Sequence, residues 1–168
     1  NEFEDAEVIL ITGSDTTAQH PLIGSRIVNA VKDRGAKLIV IDPREIELAK
    51  YAVIYARQRN GTDVAWINGL INVIISEGLH DEKFIEERTE GFEALKDLVK
   101  EYTPEYVEKI TSLPKEKIIE ISRIYAKARK AMIVYSMGIT QHTTGVDNVK
   151  SLANLAMVTG HLGFASCG

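Results

Sequence analysis

The stretch Ala36-Lys37-Leu38-Ile39-Val40-Ile41-Asp42-Pro43-Arg44 decides the fold. From Leu38 onward it is continuously apolar until the chain reaches the carboxylate of Asp42, which is typical of a strand buried on both faces. An amphipathic segment closed by Gly35 comes before this strand, and Pro43 ends it. A helix, a short loop and a buried strand in this order predict a βαβ unit with a parallel sheet.

Three other apolar runs, at 8–12, 52–56 and 131–135, repeat this design, and each passes into a polar or glycine-containing loop. Amphipathic segments at 22–34 and 114–129 predict helices that pack on the sheet. We therefore predict an α/β fold of three layers with a mainly parallel sheet, and we expect residues 1–168 to form a single domain. Since the carboxyl ends of parallel strands share one edge, the four loops should meet there.

The composition argues against several classes of protein. The chain has 168 residues, of which 45% are hydrophobic, which is enough for a core, and its net charge of −4 with no basic block argues against a nucleic-acid-binding face. No run approaches the ~20 apolar residues of a membrane helix. The single cysteine, Cys167, cannot form an internal disulfide, and no second His or Cys stands at metal-ligand spacing from His142, so we expect no protein metal site.

The start of the chain predicts a piece of a longer protein. It begins at Asn1 without an initiator methionine, and the first strand follows after a very short lead. No secretory signal is present, so we expect a cytoplasmic location, with export of the longer protein left open.

The first loop, Gly13-Ser14-Asp15-Thr16-Thr17, offers a glycine turn, hydroxyl groups and backbone amides that can hold a phosphate. It lacks the three spaced glycines of the dinucleotide fingerprint, which argues against a nicotinamide Rossmann site. The alternative is that Asp15 or Thr17 only caps the next helix, and the loop by itself leaves both interpretations open.

The second loop carries Asp42 and Arg44 beside the first. An acid in this position can bind ribose hydroxyls, and a guanidinium can bind phosphate. The alternative is that Asp42 caps a short helix at 45–49.

The third loop, Asn60-Gly61-Thr62-Asp63, predicts the start of a long helix that ends at Gly78, with Thr62 or Asp63 as its cap. Capping does not explain why Arg57 and Arg59 also stand at this turn. A guanine base whose N1 and N2 groups donate hydrogen bonds to the Asp63 carboxylate would explain why an acidic residue stands at this turn.

The fourth loop runs from Met137 to His142 and continues to a helix that begins at Gly145. A polar loop of this length is costly to bury unless its backbone groups are used. His142 alone could equally be a surface residue. The segment 80–113 predicts charge-rich helices to which we assign no chemistry.

Taken together, these loops resemble those of the molybdopterin oxidoreductases, which are molybdenum or tungsten enzymes with two molybdopterin guanine dinucleotides. The resemblance rests on an ordered set: Gly13-Ser14-Asp15, Asp42-Pro43-Arg44, Asn60-Gly61-Thr62-Asp63, Gly138-Ile139-Thr140-Gln141 and Met157-Val158-Thr159-Gly160-His161-Leu162-Gly163. Within that superfamily the chain is most similar to the catalytic subunit of formate dehydrogenase, through the further stretches Thr89-Glu90-Gly91-Phe92-Glu93 and Tyr102-Thr103-Pro104-Glu105.

The resemblance implies a domain that grips the guanosine and pyrophosphate of one of the two cofactors. Asp63 would bind the guanine, and the other implied cofactor residues fall into four groups: Gly13, Ser14 and Asp15 at the pyrophosphate; Asp42, Pro43 and Arg44 at the ribose and phosphate; Arg59, Gly61 and Thr62 around the guanine turn; Met137, Gly138 and Gln141 toward the pterin. A 4Fe-4S cluster and the protein ligand of the metal would belong to a preceding segment.

The resemblance also implies a substrate contact. Formate dehydrogenases place an arginine where Lys150 stands, as the partner of the substrate carboxylate, so Lys150 is the candidate catalytic residue. The alternative is a solvated lysine on a surface helix. The implied partners are the remaining domains of the catalytic subunit and electron-transfer subunits, with no nucleic acid and no membrane contact.

Two hypotheses from other classes stay open at this stage. One is a non-catalytic molybdopterin-like subunit of a quinone oxidoreductase. The other is an unrelated nucleotide-binding module.

Overall fold

The computed structural model describes residues 2–168, which contain an all-parallel sheet of four strands. The strands lie in the spatial order β3-β2-β1-β4, and every pair of neighbours is parallel. Their bounds are β1 Val8–Thr12, β2 Lys37–Ile41, β3 Ile54–Ala56 and β4 Ala131–Tyr135. The predicted three-layer α/β fold is thus confirmed.

Helices connect and cover the strands. Their bounds are α1 Thr16–Gln19, α2 Pro21–Arg34, α3 Asp63–Ser76, α4 Glu82–Arg88, α5 Phe92–Val99, α6 Pro104–Thr111, α7 Lys115–Ala126, α8 Met137–Thr140 and α9 Gly145–Val158. Two 3-10 helices, Glu2–Asp5 and Glu47–Tyr51, complete the regular structure. No helix within residues 2–168 has the length and apolar character needed to cross a lipid bilayer.

Three predicted boundaries were wrong, for identifiable reasons. Strand β3 does not start at residue 52, because the amide of Ala52 donates to Ala49 and so still belongs to the preceding 3-10 helix. Helix α7 stops before Arg129, whose amide leaves the helix and donates to the carboxylate of Glu7 at 2.9 Å. The predicted polar loop after β4 contains a helical turn, α8.

Both faces of the sheet are buried along the two central strands, β1 and β2, which explains why these strands are continuously apolar. In β2, Leu38 and Val40 pack in a cluster with Ile27 of α2 on one face. On the other face Ile39 and Ile41 pack in a larger cluster, which also contains buried residues of α3, α7 and α9. The chain thus has a hydrophobic core on each side of its sheet, as a layered α/β fold requires.

Candidate functional site

A cleft of about 350 Å³ lies at the carboxyl ends of the strands. Loops that follow all four strands contribute to its walls, as predicted from the parallel arrangement. The lining consists of Gly13, Ser14, Asp15, Gln19, Asp42, Pro43, Arg44, Gln58, Asn60, Gly61, Asp63, Ser136, Met137, Gly138 and His142. All but three of the predicted cofactor residues are therefore brought together, in a volume typical of a small-molecule site.

A contact between two glycine backbones joins the first loop to the fourth. The amide of Gly138 donates to the carbonyl of Gly13 at 3.0 Å. A Cβ on Gly13 would lie 2.7 Å from the Gly138 carbonyl carbon, and a Cβ on Gly138 would lie 2.6 Å from the Gly13 Cα. Gly13 also has a φ of +57°, in the left-handed region that favours glycine. Side chains are therefore excluded where the two loops meet.

The first loop does not cap a helix through its side chains. Asp15 occupies the position before α1, but its carboxylate accepts no hydrogen bond from the helix backbone, and it instead accepts one from the Thr17 hydroxyl at 3.5 Å. Ser14 is buried and its hydroxyl is 2.9 Å from that of Thr16. The alternative in which Asp15 or Thr17 serves only as a side-chain cap is wrong for both α1 and α2.

Asp42 is a buried acid with a local hydrogen bond. Its Oδ1 accepts from the Arg44 amide at 2.8 Å, and the side chain is only 3% exposed. Burial raises the pKa of Asp42 above its usual range, while the amide and charge of Arg44 and the amide of Gly13 partly oppose this rise. The 3-10 helix begins after Ile46 without a side-chain cap, so the alternative in which Asp42 caps it is also wrong.

Arg44 supplies a positive charge at the edge of the cleft. Its side chain is exposed, and it forms no ion pair with any residue in the described range 2–168. A guanidinium in this state can bind a phosphate in a bidentate manner.

Asp63 is the first residue of α3 and is only 4% exposed. Its Oδ1 accepts hydrogen bonds from the indole Nε1 of Trp66 at 3.3 Å and from the Nε2 of Gln58 at 3.4 Å. No residue in 2–168 donates a hydrogen bond to its Oδ2. Thr62 precedes the helix but does not cap it, since its hydroxyl donates to the Arg59 carbonyl at 2.6 Å. One carboxylate oxygen is thus held and the other remains free to accept.

Four predicted site residues do not line the cleft. Arg59 is directed toward the end of α6, where its Nη2 donates to the Ser112 hydroxyl at 3.2 Å. Thr62 bonds to the backbone of Arg59, and Gln141 is exposed at the end of α8. Lys150 is exposed on α9.

Sequence reasoning missed several lining residues: Gln19, Gln58, Asn60, Ser136 and His142. Two of them carried a usable signal, because Ser136 directly follows β4 and Gln58 stands two residues after β3, and polar residues at strand carboxyl ends line this edge. His142 is exposed, and its Nε2 is 2.8 Å from the Gly138 carbonyl, next to the glycine contact.

The lining fits the nucleotide part of a cofactor. It offers two buried carboxylates, an exposed guanidinium and a loop junction from which side chains are excluded. The Gln58 Oε1 is buried and has no hydrogen-bond partner in residues 2–168. Among those residues, no three His, Cys, Asp or Glu side chains are grouped so that they could hold a metal ion.

A parallel sheet covered on both faces, with a cleft at its carboxyl edge, is the usual arrangement of ligand-binding α/β proteins. The particular family follows from comparison, because the family model for molybdopterin oxidoreductase matches residues 1–166. The chain belongs to the molybdopterin oxidoreductase family, as its loops predicted. Membership implies a molybdopterin cofactor that carries molybdenum or tungsten.

Relatives with curated names agree with this assignment. The chain is 56% identical to the F420-dependent formate dehydrogenase subunit alpha of Methanocaldococcus jannaschii over 100% of its own length and 25% of that protein. It is 42% identical to formate dehydrogenase H of Escherichia coli, again over its whole length and 23% of the relative. The chain therefore spans about a quarter of the length of these relatives.

A solved structure shows the same fold. Acetylene hydratase from Pelobacter acetylenicus superposes with a TM-score of 0.92 and 30% identity, over 98% of this chain and 23% of that one. Proteins with different reactions in their names thus share this domain.

Proposed function

We propose that this chain holds the guanosine and pyrophosphate of one molybdopterin guanine dinucleotide in a molybdenum or tungsten oxidoreductase of the formate dehydrogenase type. The observation that carries the proposal is the buried carboxylate of Asp63, which keeps one oxygen free inside a cleft formed by the loops after all four strands. Identities of 56% and 42% to formate dehydrogenase subunits support the choice of reaction.

Asp63 binds the guanine in this proposal. The N1 and N2 groups of guanine are adjacent donors, and a carboxylate is the side chain that can accept from both at once. Adenine presents an acceptor at N1, so the same carboxylate would repel it. The hydrogen bond from Trp66 orients the carboxylate before the base arrives, which lowers the entropic cost of binding.

The remaining cleft residues bind the ribose and the phosphates. Asp42 uses its Oδ1 for the Arg44 amide, so its second oxygen accepts from a ribose hydroxyl. The guanidinium of Arg44 and the backbone amides of Gly13-Ser14-Asp15 bind the pyrophosphate. Met137 and Gly138 lie at the pterin end. When bound, the pterin carries the metal that takes two electrons from formate, and this domain orients that cofactor.

The whole protein is larger than this domain in our proposal. We propose that residues 1–168 are one α/β domain of a catalytic subunit about four times as long, since the chain covers 25% of its relative from M. jannaschii. Its partners are the remaining domains of that subunit and separate electron-transfer subunits, and the parent also holds a 4Fe-4S cluster. Lys150 contacts the substrate in the assembled enzyme. An unrelated nucleotide-binding module is excluded by the family assignment.

Calorimetric titration of the chain with GDP and with ADP tests the proposal. We expect GDP to bind at least tenfold more tightly than ADP, because two buried donor–acceptor pairs form with guanine alone. Equal affinity for the two nucleotides would overturn the guanine site.

A further inference from the structure

We infer that Gln58 is a specificity-determining residue that binds the exocyclic amino group of guanine, an inference that rests on the proposed function. Gln58 lines the cleft two residues after β3 and is only 5% exposed. A glutamine in such a place needs partners for both ends of its amide.

The amide of Gln58 is only half satisfied. Its Nε2 donates to Asp63 Oδ1 at 3.4 Å, near the long limit for a hydrogen bond, and its Oε1 has no partner. Other buried side-chain atoms in residues 2–168 also lack partners, and they belong to Thr12, His80, Tyr125 and Asn148, none of which lines the cleft. Gln58 is thus the lining residue with an unused buried acceptor.

The number of acceptor positions on Asp63 explains how Gln58 responds to the base. Each carboxylate oxygen accepts about two hydrogen bonds, and Oδ1 already accepts from Trp66 and Gln58. Guanine needs one acceptor position on each oxygen. Trp66 is fully buried and cannot move aside, whereas the last torsion of a glutamine side chain is broad. The amide of Gln58 therefore turns away from Oδ1.

This turn presents Oε1 to the base. Guanine has three donor hydrogens on this edge, one on N1 and two on the amino group. Asp63 accepts the N1 hydrogen and one amino hydrogen, and the Gln58 Oε1 accepts the other. Hypoxanthine has the N1 hydrogen but no amino group, so it needs only the free Oδ2 of Asp63 and leaves Gln58 in place.

The inference is tested by measuring the affinities of two proteins for two ligands. GDP and IDP are titrated against the natural chain and against Gln58→Met, which keeps the length of the side chain but removes its hydrogen bonds. We expect Gln58→Met to weaken the affinity for GDP about tenfold and to change the affinity for IDP less than twofold. An equal loss of affinity for both ligands would mean that Gln58 acts only by orienting Asp63, and it would overturn the inference.

A measurement on the natural chain makes the result independent of how well the variant folds. The side-chain amide resonances of Gln58 in a ¹H–¹⁵N spectrum should move much further when GDP binds than when IDP binds, because a purine ring lies near the amide in both complexes but the amide turns only with GDP. Equal movement with the two ligands, or no movement with either, would contradict the assignment. Equal affinity of the natural chain for GDP and ADP is a separate outcome, since it overturns the proposed function itself.

Discussion

The orientation of the Asp63 carboxylate is set by hydrogen bonds from neighbouring side chains. Asp63 begins α3, so its position follows from the helix start, yet its orientation depends on donors from Trp66, one turn later, and from Gln58 on the strand side. An acid that is buried to this degree and keeps an oxygen free is poised to accept from a ligand.

Replacing Asp63 by asparagine should weaken GDP binding. Asp63→Asn turns one acceptor oxygen into a donor that faces the donors of guanine, at a cost of about 1–3 kcal/mol, or roughly 5- to 150-fold in affinity. Calorimetry with GDP measures the loss. The matched control is Asp33→Asn on the exposed side of α2, which should bind GDP normally. If Asp63→Asn also binds normally, Asp63 is not in the site.

The pKa of Asp42 predicts a pH-dependent stability. Burial raises this pKa in the folded state, so the ionised form opposes folding at neutral pH, and the penalty vanishes below the unfolded pKa of about 4, where both states hold the proton. Asp42→Asn keeps the acceptor for the Arg44 amide and should raise the melting temperature at pH 7.

Thermal unfolding of both proteins from pH 7 down to pH 3 measures the effect of Asp42→Asn. The gain in melting temperature should shrink as the pH falls through the pKa that Asp42 has in the folded protein. A variant that is less stable at pH 7, with a loss that disappears toward pH 3, would show that hydrogen bonds to the charged form outweigh its burial.

Lys150 is tested in the full-length protein. Lys150→Ala should raise the Michaelis constant for formate about fivefold or more by removing a charged hydrogen bond, and Lys150→Arg should keep or improve turnover through a two-pronged carboxylate contact. Lys83→Ala on α4, where the lysine is also exposed, is the control. If neither Lys150 variant changes the kinetics, the Lys150 side chain does not contact the substrate.

At the scale of the elements, the site depends on where strands end. β1 and β4 are neighbours in register, with Thr12 beside Tyr135, so the loops that follow them leave the sheet at the same level. Those loops then touch through Gly13 and Gly138. The closeness of the first and fourth loops is therefore a product of strand pairing and of two residues that lack a side chain.

Gly138→Ala should disturb both stability and binding. The new Cβ would meet the Gly13 backbone at 2.6 Å, and backbone cannot move aside cheaply, so we expect a loss of about 1–3 kcal/mol in the free energy of unfolding. GDP binding should weaken as the first loop is displaced. Urea unfolding and calorimetry measure the two effects.

Gly78→Ala is the control for the cost of replacing glycine. Gly78 has a φ of +65° and open space around it, so the variant carries backbone strain without crowding. It should lose stability and still bind GDP like the natural chain. Normal GDP binding by Gly138→Ala as well would show that the glycine contact does not shape the site.

Taken as a whole, the molecule corresponds to about a quarter of its formate dehydrogenase relatives and carries one cleft at the carboxyl ends of its strands. We propose that this cleft is one part of a larger active centre. The chain's high structural similarity to acetylene hydratase, with a TM-score of 0.92, indicates that this domain is compatible with more than one reaction. We therefore propose that groups near the metal of the full-length enzyme, and not the fold of this domain, decide the reaction.

The 168-residue chain should therefore not oxidise formate by itself. Assay of the purified chain with formate and a viologen dye should give no turnover, and the full-length protein in the same assay is the control. Elemental analysis of the full-length protein should find molybdenum or tungsten. Sustained metal-dependent turnover by the chain would refute the expectation, and a full-length protein without either metal would favour a non-catalytic subunit.

The pattern of amino acids was sufficient to predict the sheet, its parallel strands and most of the residues at its carboxyl edge. It could do so because these features are local: four apolar runs, each followed by a polar or glycine-containing loop, are sufficient to indicate buried parallel strands whose ends meet. Residues next to a strand end, such as Asp42 and Gly13, are then placed in the site by proximity along the chain.

Which polar groups meet within that edge is evident from the packed structure and could not be predicted from the sequence. Arg59 turns away from the cleft to a serine 53 positions later in the chain, and Gln58, whose only sequence signal was its position after β3, reaches Asp63. The pKa of Asp42 likewise depends on how deeply the packed layers bury it. The hydrogen bond of Arg59 and the burial of Asp42 arise from contacts between segments that are distant in the chain, and the Gln58–Asp63 contact depends on how the turn between them folds. The periodicity of a sequence carries no information about side-chain direction in either case.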